Sequence, residues 1–265
     1  MEVIEKKIGG NKEIELCFIG DTHIGAKAFA EENFLNARDY VKEKPNRYMV
    51  GMGDFVDTIA FTDKRFSIDE VDERMMYINE QFDYLYELLK PIREKIIGLH
   101  IGNHETKFAM RQSYNGLIQV CKRLNTNFLD DTAIIKIKMG KKERVIHSTH
   151  GFGGGWSLGA VVNRILKEPQ IIRNASIHSF AHSHKLFAVL YPLGLQIKNG
   201  SLIPSYAWFL NTGSFLKGFL IGTSTYAERK HYPLNPLGFA VAKLFKDEVD
   251  CGIRIMDKER RWGDE

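Results

Sequence analysis

The segment EIELCFIGDTH, residues 13–23, shows the pattern from which the fold of this chain is predicted. Its apolar run at 13–20 ends in glycine and predicts a buried β-strand. Asp21 and His23 follow at once, two residues apart. A single strand that ends in a polar turn is common, so the segment gains meaning only if other strands end in the same way.

Four further apolar runs end in polar residues of the same kinds. Runs at 47–53, 95–102, 144–150 and 176–184 lead to Asp54 with Asp57, to Asn103 with His104, to His150, and to His182 with His184. Open α/β sheets bind ligands at the carboxyl ends of their strands. We therefore expect these five clusters to meet at one edge.

Helical stretches alternate with these strands. Helices are predicted at 28–43, 67–92, 107–125 and 158–168, and the second opens with a capping box of Ser67 and Glu70. Strand–helix alternation is typical of an α/β fold in which helices cover a sheet.

The last third of the sequence changes character, because strand-like runs such as LFAVLYPLG and FAVAKLF are joined by short turns. We interpret it as a second, largely antiparallel sheet packed on the first. The expected architecture is an α/β sandwich of two sheets with helices on the outer faces. It forms one domain over 1–265, with a motif-bearing part at about 13–185 and a β-rich part at about 186–256.

The composition limits the classes of protein to which this chain can belong. Hydrophobic residues make up 44% of the 265, enough for a substantial core, and a net charge of +4 leaves a phosphate-rich partner open. The three cysteines, Cys17, Cys121 and Cys251, fit neither a disulfide framework nor a thiolate zinc site. With no signal peptide or membrane-length apolar run, we expect a soluble, cytoplasmic protein with no membrane partner. The sequence indicates no oligomeric state.

The polar clusters are suited to metal ions. Side chains two apart on a strand share a face, so Asp21 with His23, and His182 with His184, can converge on one point. Two aspartates, an asparagine and four histidines are too many ligands for one ion. They suit two ions that share a bridging carboxylate and leave positions open for water and substrate.

In this order, D-x-H, G-D-x-x-D, G-N-H-E, H-G and H-x-H resemble the calcineurin-like metallophosphoesterase family over residues 14–185, with an N-x-G-S turn at Asn211–Ser214 as a weaker extension. The resemblance implies a phosphoesterase that uses two divalent metals and metal-bound hydroxide. It implies two ligand sets: Asp21, His23, Asp54 and His184 for the first metal; Asp54, Asn103, His150 and His182 for the second.

The resemblance also implies that His104 contacts phosphate and protonates the leaving group, and that Asp57 orients His104. Oxygen and nitrogen ligands without sulfur suit Mn²⁺, Fe²⁺ or Zn²⁺. Mn²⁺ is favoured because near-octahedral sites with water fit it better than closed tetrahedral zinc.

The sequence limits the possible substrates only in part. Phosphoprotein phosphatases of the family place Arg-Gly after G-D-x-x-D, where this chain has Thr58 and Ile59. A phosphodiesterase or nuclease acting on a nucleic acid or nucleotide is therefore favoured. A phosphomonoesterase acting on proteins or small molecules is the alternative, and a catalytically silent interaction scaffold is disfavoured because every motif residue is present.

Several of these residues also have simpler structural interpretations. Asp21 and Asp54 could merely cap helices, but that does not account for four convergent histidines. His147 and His178 lie on the wrong face or too deep in their strands, which predicts core positions. Trp156, in the glycine-rich loop 150–159, could either stack on a base or pack as a connector residue.

Overall fold

The structure, a computed structural model, describes residues 1–8, 13–59, 63, 66–153, 157–167 and 172–257, without the side chains of Lys198 and Tyr226. The strands are β1 Glu2–Lys7, β2 Glu13–Ile19, β3 Arg47–Gly51, β4 Ile96–His100, β5 Asn127–Asp130, β6 Thr132–Met139, β7 Lys142–Thr149, β8 Ile177–Phe180, β9 Leu186–Lys198, β10 Ser201–Thr212, β11 Gly238–Phe245 and β12 Val249–Ile255. The α-helices are α1 Glu31–Glu43, α2 Ile78–Leu89, α3 Asn103–Gln112, α4 Gly116–Leu124, α5 Leu158–Ile165 and α6 Tyr226–Arg229.

Within the described residues the strands form two six-stranded mixed sheets. One has the order β1-β6-β7-β8-β10-β9, and the other has the order β12-β11-β2-β3-β4-β5. The first contains the parallel pair β7 and β8, and the second contains the parallel trio β2, β3 and β4. The prediction of an α/β sandwich is confirmed.

Strand β2 shows why this sequence forms a layered core. Ile14, Leu16 and Phe18 belong to a buried cluster that includes residues of both sheets. Cys17 and Ile19 belong to a different cluster that includes residues of α1, α2 and α4. Because both faces of the strand are covered, β2 is almost wholly apolar rather than alternating.

Helices cover the outer faces, as predicted. The amphipathic helix α5 packs Val161 and Ile165 against Phe180 of β8 and Phe209 of β10. No helix in the part of the chain that the structure describes is long and apolar enough to cross a membrane.

The prediction that the last third forms a sheet of its own is wrong. Strands β9 and β10 extend the sheet of β7 and β8, whereas β11 and β12 extend the sheet of β2. Strand β11 pairs antiparallel with β2, the first strand of the motif-bearing part. Pairing partners this far apart in sequence are set by tertiary packing, which local patterns do not report.

Two of the predicted helices also differ from those in the structure. The expected helix at 67–92 begins only at Ile78, and Ser67 with Glu70 forms a turn instead of a cap. Residues 71 and 72 bond to residues 25 and 26 beside the first motif, which holds this segment out of the helix. The expected helix at 107–125 is broken where Ser113 adopts a left-handed conformation and Asn115 caps a new helix.

Candidate metal centre

The carboxyl ends of the parallel strands in both sheets meet at one place. Strands β2, β3 and β4 lead to Asp21, Asp54 and Asn103, while β7 and β8 lead to His150 and His182. Hydrogen bonds join the loops: the backbone N–H of Asp21 donates to the Gly53 carbonyl at 2.8 Å, and the backbone N–H of His182 donates to the Asp21 side chain at Oδ2, at 3.1 Å. The five predicted clusters thus come from two sheets, not from one.

The backbone at these positions is unusual. Five candidate ligands have φ between 49° and 64°, in the left-handed region: Asp21, His23, Asp54, His182 and His184. A side chain in this region costs about 1–3 kcal/mol, and such strain concentrates at functional sites. The conformation turns each strand end sharply. A side chain at Gly102 would displace Asp54, because a Cβ there would lie 2.1 Å from Asp54 Oδ1. Glycine at this position therefore allows the close approach of the two loops.

Asp21, His23 and His184, the first group, each offer a ligand atom, and these atoms lie within 4.8 Å of one another. His23 Nε2 is 3.2 Å from His184 Nε2, and His184 Nε2 is 3.4 Å from Asp21 Oδ1. Asp21 Oδ1 is buried, and no hydrogen-bond partner for it lies among the described residues. A buried carboxylate oxygen facing imidazole nitrogens suits a divalent cation.

Asp54, His150 and His182, the second group, meet the same 4.8 Å criterion. His150 Nδ1 donates to the Met52 carbonyl at 2.7 Å, which fixes the tautomer and leaves Nε2 as the ligand atom, 3.3 Å from Asp54 Oδ2. Burial opposes a charge on the His150 ring, but the negative charge of Asp54 outweighs it and raises the pKa to about 10. A metal ion bound at Nε2 would displace that proton and supply the positive charge in its place.

Asn103, predicted as a ligand, lies beside the second group. Rotating its amide by half a turn would put the NH₂ 3.1 Å from Asp54 Oδ2 and 2.6 Å from His182 Nδ1. Without the rotation, the Asn103 amide oxygen faces Asp54 Oδ2 and His182 Nδ1, which are also acceptors. A cation between these three atoms would satisfy all of them, so this set of atoms fits a metal ion.

Asp54 lies at the centre of the site. It is 2% exposed, its Oδ1 accepts from the His104 N–H at 2.8 Å, and its carbonyl accepts from the His23 N–H at 3.1 Å. Burial raises its pKa, yet the neighbouring His150 and His104 charges dominate and hold the pKa well below its usual range. The carboxylate is therefore ionised, as a metal ligand must be.

Asp57 contacts two imidazoles, whereas sequence analysis paired it with His104 alone. Its Oδ1 lies 3.3 Å from Nδ1 of His104 and 3.3 Å from Nδ1 of His23. The His104 Nδ1 hydrogen is also donated to the Asp57 carbonyl at 2.7 Å. Burial alone would lower the pKa of His104, but Asp54 and Asp57 raise it to about 9. The ring is thus a cation at neutral pH.

Glu105 is a site residue that sequence analysis missed. This buried carboxylate accepts from the backbone N–H groups of Gly102, Asp54, Phe55 and Val56. It joins the turn that bears Asp54 to the start of α3, which bears Asn103 and His104. Burial, with the charge of Asp54, raises the pKa of Glu105 to about 7. Its signal was the third helical position of α3, where a capping-box glutamate is expected.

Asn211, in the weaker N-x-G-S extension, braces the loop that bears His182 and His184. Its Nδ2 donates to Ser183 Oγ at 2.8 Å and also to the Lys185 carbonyl. The loop is therefore tied to the end of β10, which gives Asn211 a structural role.

A cavity of about 460 Å³ opens beside the two groups. Its lining includes six residues of the candidate site: His23, Asp54, Asn103, His104, His182 and His184. It also includes parts of 26–28, of 67–71 and of 216–235. The last segment, the cleft wall, was left unassigned by sequence analysis. Lys217 N donates to the Ala28 carbonyl at 2.8 Å, and Arg229 pairs with Glu70 at 2.8 Å, so the wall is fastened across the cleft.

The remaining candidates lie elsewhere. His147 and His178 are buried among Phe180 and Phe209, so the prediction of core positions is confirmed. Trp156 lies outside the described residues, and its two interpretations stay open.

Comparison with known proteins finds no matching family model and no matching curated protein. Among solved structures, the chain is similar to a predicted phosphoesterase from Streptococcus pneumoniae TIGR4 (13% identity, 96% of each chain, TM-score 0.42). It is also similar to a metallophosphoesterase from Sphaerobacter thermophilus (10% identity, 92% of this chain and 89% of that chain, TM-score 0.40). A third similar structure is a phosphatase from Mycoplasma pneumoniae (12% identity, 94% of this chain and 95% of that chain, TM-score 0.36). Similarity at this level supports no conclusion about activity.

Proposed function

We propose that this protein is a divalent-metal-dependent phosphoesterase that binds two metal ions side by side. The main support is the position of the first and second groups at adjoining strand ends. In this proposal Asp54 is the ligand common to both ions, and Asn103 completes the second set. Mn²⁺ is the favoured ion, because oxygen and imidazole ligands with no thiolate suit it; Fe²⁺ and Zn²⁺ are the alternatives.

When bound, two such cations would activate a water molecule and neutralise the charge that grows on the reacting phosphate. The chain's own part is to direct a proton. His104 Nδ1 is held by Asp57, so the proton at Nε2 is the one that can move to the leaving oxygen as the ester P–O bond breaks. Asp57 keeps the ring charged and correctly turned for this step.

A phosphodiester is the favoured substrate, from a nucleic acid or a nucleotide. At the position where the related phosphoprotein phosphatases have arginine, Thr58 is buried, and its Oγ1 donates to the His104 carbonyl at 2.9 Å. No arginine clamp for a dianionic monoester is available there. The cavity also extends well beyond the candidate ligands, which leaves room for a second ester substituent.

The test is hydrolysis of bis-p-nitrophenyl phosphate against p-nitrophenyl phosphate, with chelator-treated protein to which Mn²⁺ is returned. We expect metal-dependent turnover with a higher kcat/KM for the diester. A preference for the monoester would place a phosphatase first. Protein that binds metal and hydrolyses neither ester would contradict the enzyme proposal and favour a binding role.

A further inference from the structure

Lys185 is a lysine of the cavity that the proposed chemistry does not use. It directly follows His184, lines the cavity and is only 8% exposed. Its Nζ donates to Asn235 Oδ1 at 2.8 Å, and among the described residues no carboxylate lies within ion-pairing distance. A buried ammonium with only a neutral partner is unfavourable, because a buried charge is usually paired.

Asn235 fixes where this charge lies. It belongs to the cleft wall and is in neither of the two candidate metal groups. The hydrogen bond therefore holds the ammonium against the cleft wall. This ammonium offers an anion position in addition to the one at the candidate metal groups.

The surrounding charges favour an anion at this corner. Lys27 and Lys217 also line the cavity and are exposed at its rim. Three acidic residues line the cavity: Asp54 and Asp57 belong to the candidate metal centre, and Arg229 already pairs with Glu70 at 2.8 Å. Beyond the metal ligands the cavity is therefore cationic, which attracts a substrate with more than one negative charge.

The cleft wall also offers apolar surface. Leu216, Leu220, Tyr232 and Pro233 line the cavity beside Asn235. Aromatic and apolar side chains accept the flat faces of nucleobases with little sequence preference. A ligand that combines phosphates with flat apolar groups matches this lining.

We propose that Lys185, positioned by Asn235, binds a second phosphate of an oligonucleotide substrate while a neighbouring phosphodiester is hydrolysed at the metal centre. This rests on the proposed function and narrows its substrate to nucleic-acid strands with at least two phosphates. Lys185 forms a specificity subsite, since the phosphate it holds is not the one that reacts.

The first experiment needs no metal. Chelator-treated protein is titrated with thymidine 3′,5′-bisphosphate by calorimetry, using the wild type, Lys185→Met, Lys185→Arg and Lys122→Met. Lys122 is exposed on α4, so its variant is a control with the same change in net charge. We expect the Kd to rise about tenfold or more in Lys185→Met, as for the loss of a charged hydrogen bond, and Lys185→Arg to retain part of the affinity. Equal Kd values for Lys185→Met and Lys122→Met would overturn the proposal.

The second experiment uses the Mn²⁺-loaded protein and the trinucleotide TpTpT, with analogues in which either phosphate is a neutral methylphosphonate. Neutralising the phosphate that is not cleaved should lower kcat/KM about tenfold in the wild type and much less in Lys185→Met. The same loss in both proteins would show that Lys185 does not bind that phosphate. If no ester at all is hydrolysed, the proposed function fails, while the metal-free titration still decides the subsite.

Discussion

Strands β7 and β8, with the residues that follow them, bring together two pairs of histidines in nearly the same ring geometry. The inner pair, His147 and His178, has ring centroids 5.4 Å apart at 69°. The outer pair, His150 and His182, has centroids 5.3 Å apart at 76°. Only the outer pair belongs to a group that could hold a metal ion among the described residues.

The surroundings account for the difference. The inner pair lies against Phe180 and Phe209, and its Nδ1 atoms are 3.2 Å apart. Burial lowers the pKa of His147 to about 4 and of His178 to about 3, so both rings are neutral. In the outer pair, Asp54 raises the pKa of His150 to about 10 despite burial, whereas burial and the neighbouring His150 charge lower the pKa of His182.

A pair of histidines is therefore not a metal site by itself. A carboxylate that faces the rings supplies the negative charge that a divalent cation needs, and a carbonyl such as that of Met52 fixes which nitrogen is available. The inner pair lacks such a carboxylate neighbour among the described residues and serves as packing.

Removing the charge of the Asp54 carboxylate should remove most of the capacity for metal binding that distinguishes the outer histidine pair from the inner pair. We expect Asp54→Asn to lower metal content below two ions per chain and turnover of bis-p-nitrophenyl phosphate about 10⁴-fold or more. Each preorganised charge contribution is worth ~10²–10³-fold in rate, and two would be lost. Elemental analysis and kinetics measure both. Full metal content with wild-type turnover would refute the central role of Asp54.

The next effect concerns His104, a histidine that faces carboxylates but is not a proposed ligand. We expect His104→Ala to keep its metal and to lose ~10²–10⁴-fold in kcat on esters with poor leaving groups, the usual scale of acid catalysis. The loss should shrink on p-nitrophenyl esters, which need little protonation of the leaving group. An equal loss on both kinds of ester would count against the acid role.

A smaller effect is expected for Asp57, which lies between His23 and His104. Asp57→Asn keeps the shape but removes the charge that orients both rings. Partners of metal ligands are worth about 10–100-fold in metal affinity or activity. We expect Mn²⁺ to bind that much more weakly and kcat at saturating Mn²⁺ to fall. Weaker binding with an unchanged kcat would assign Asp57 to His23 alone.

The smallest effect is expected in the inner pair. His178→Phe should keep its metal content and most of its activity, and at pH 7 its free energy of unfolding should lie within about 1 kcal/mol of the wild type, as for a core substitution of similar shape. A contribution to metal binding would appear as lost metal content.

The inner pair should also affect acid stability. An unfolded histidine titrates near pH 6.5. A ring with a depressed folded pKa therefore contributes stability that is complete above this value and is lost as the pH falls toward about 3. Between pH 7 and 4, chelator-treated wild type should lose about 2–3 kcal/mol more than His178→Phe in urea unfolding. Parallel losses in both proteins would show that His178 does not titrate as burial dictates.

Much of the candidate site could be predicted from the sequence, because the ends of strands are local properties. Strand parity correctly excluded His147, which lies within β7. Parity did not explain the convergence of the ligands, because Asp21 and His23 lie beyond β2 in left-handed conformations, and His182 and His184 belong to different groups. Glu105 and Lys185 could not be assigned roles, since one acts through backbone groups of a distant turn and the other through Asn235.

The sequence by itself determined the layered α/β class, the strand ends at which polar residues collect, and the residue types suited to divalent metals. Local periodicity and chemical identity suffice for these. Only the tertiary structure decided that the last third is shared between two sheets, that Asp57 serves two histidines, and that 216–235 closes the cleft beside Lys185. Such features depend on contacts between distant segments, whose pairing is selected by packing of the whole core and leaves no local pattern.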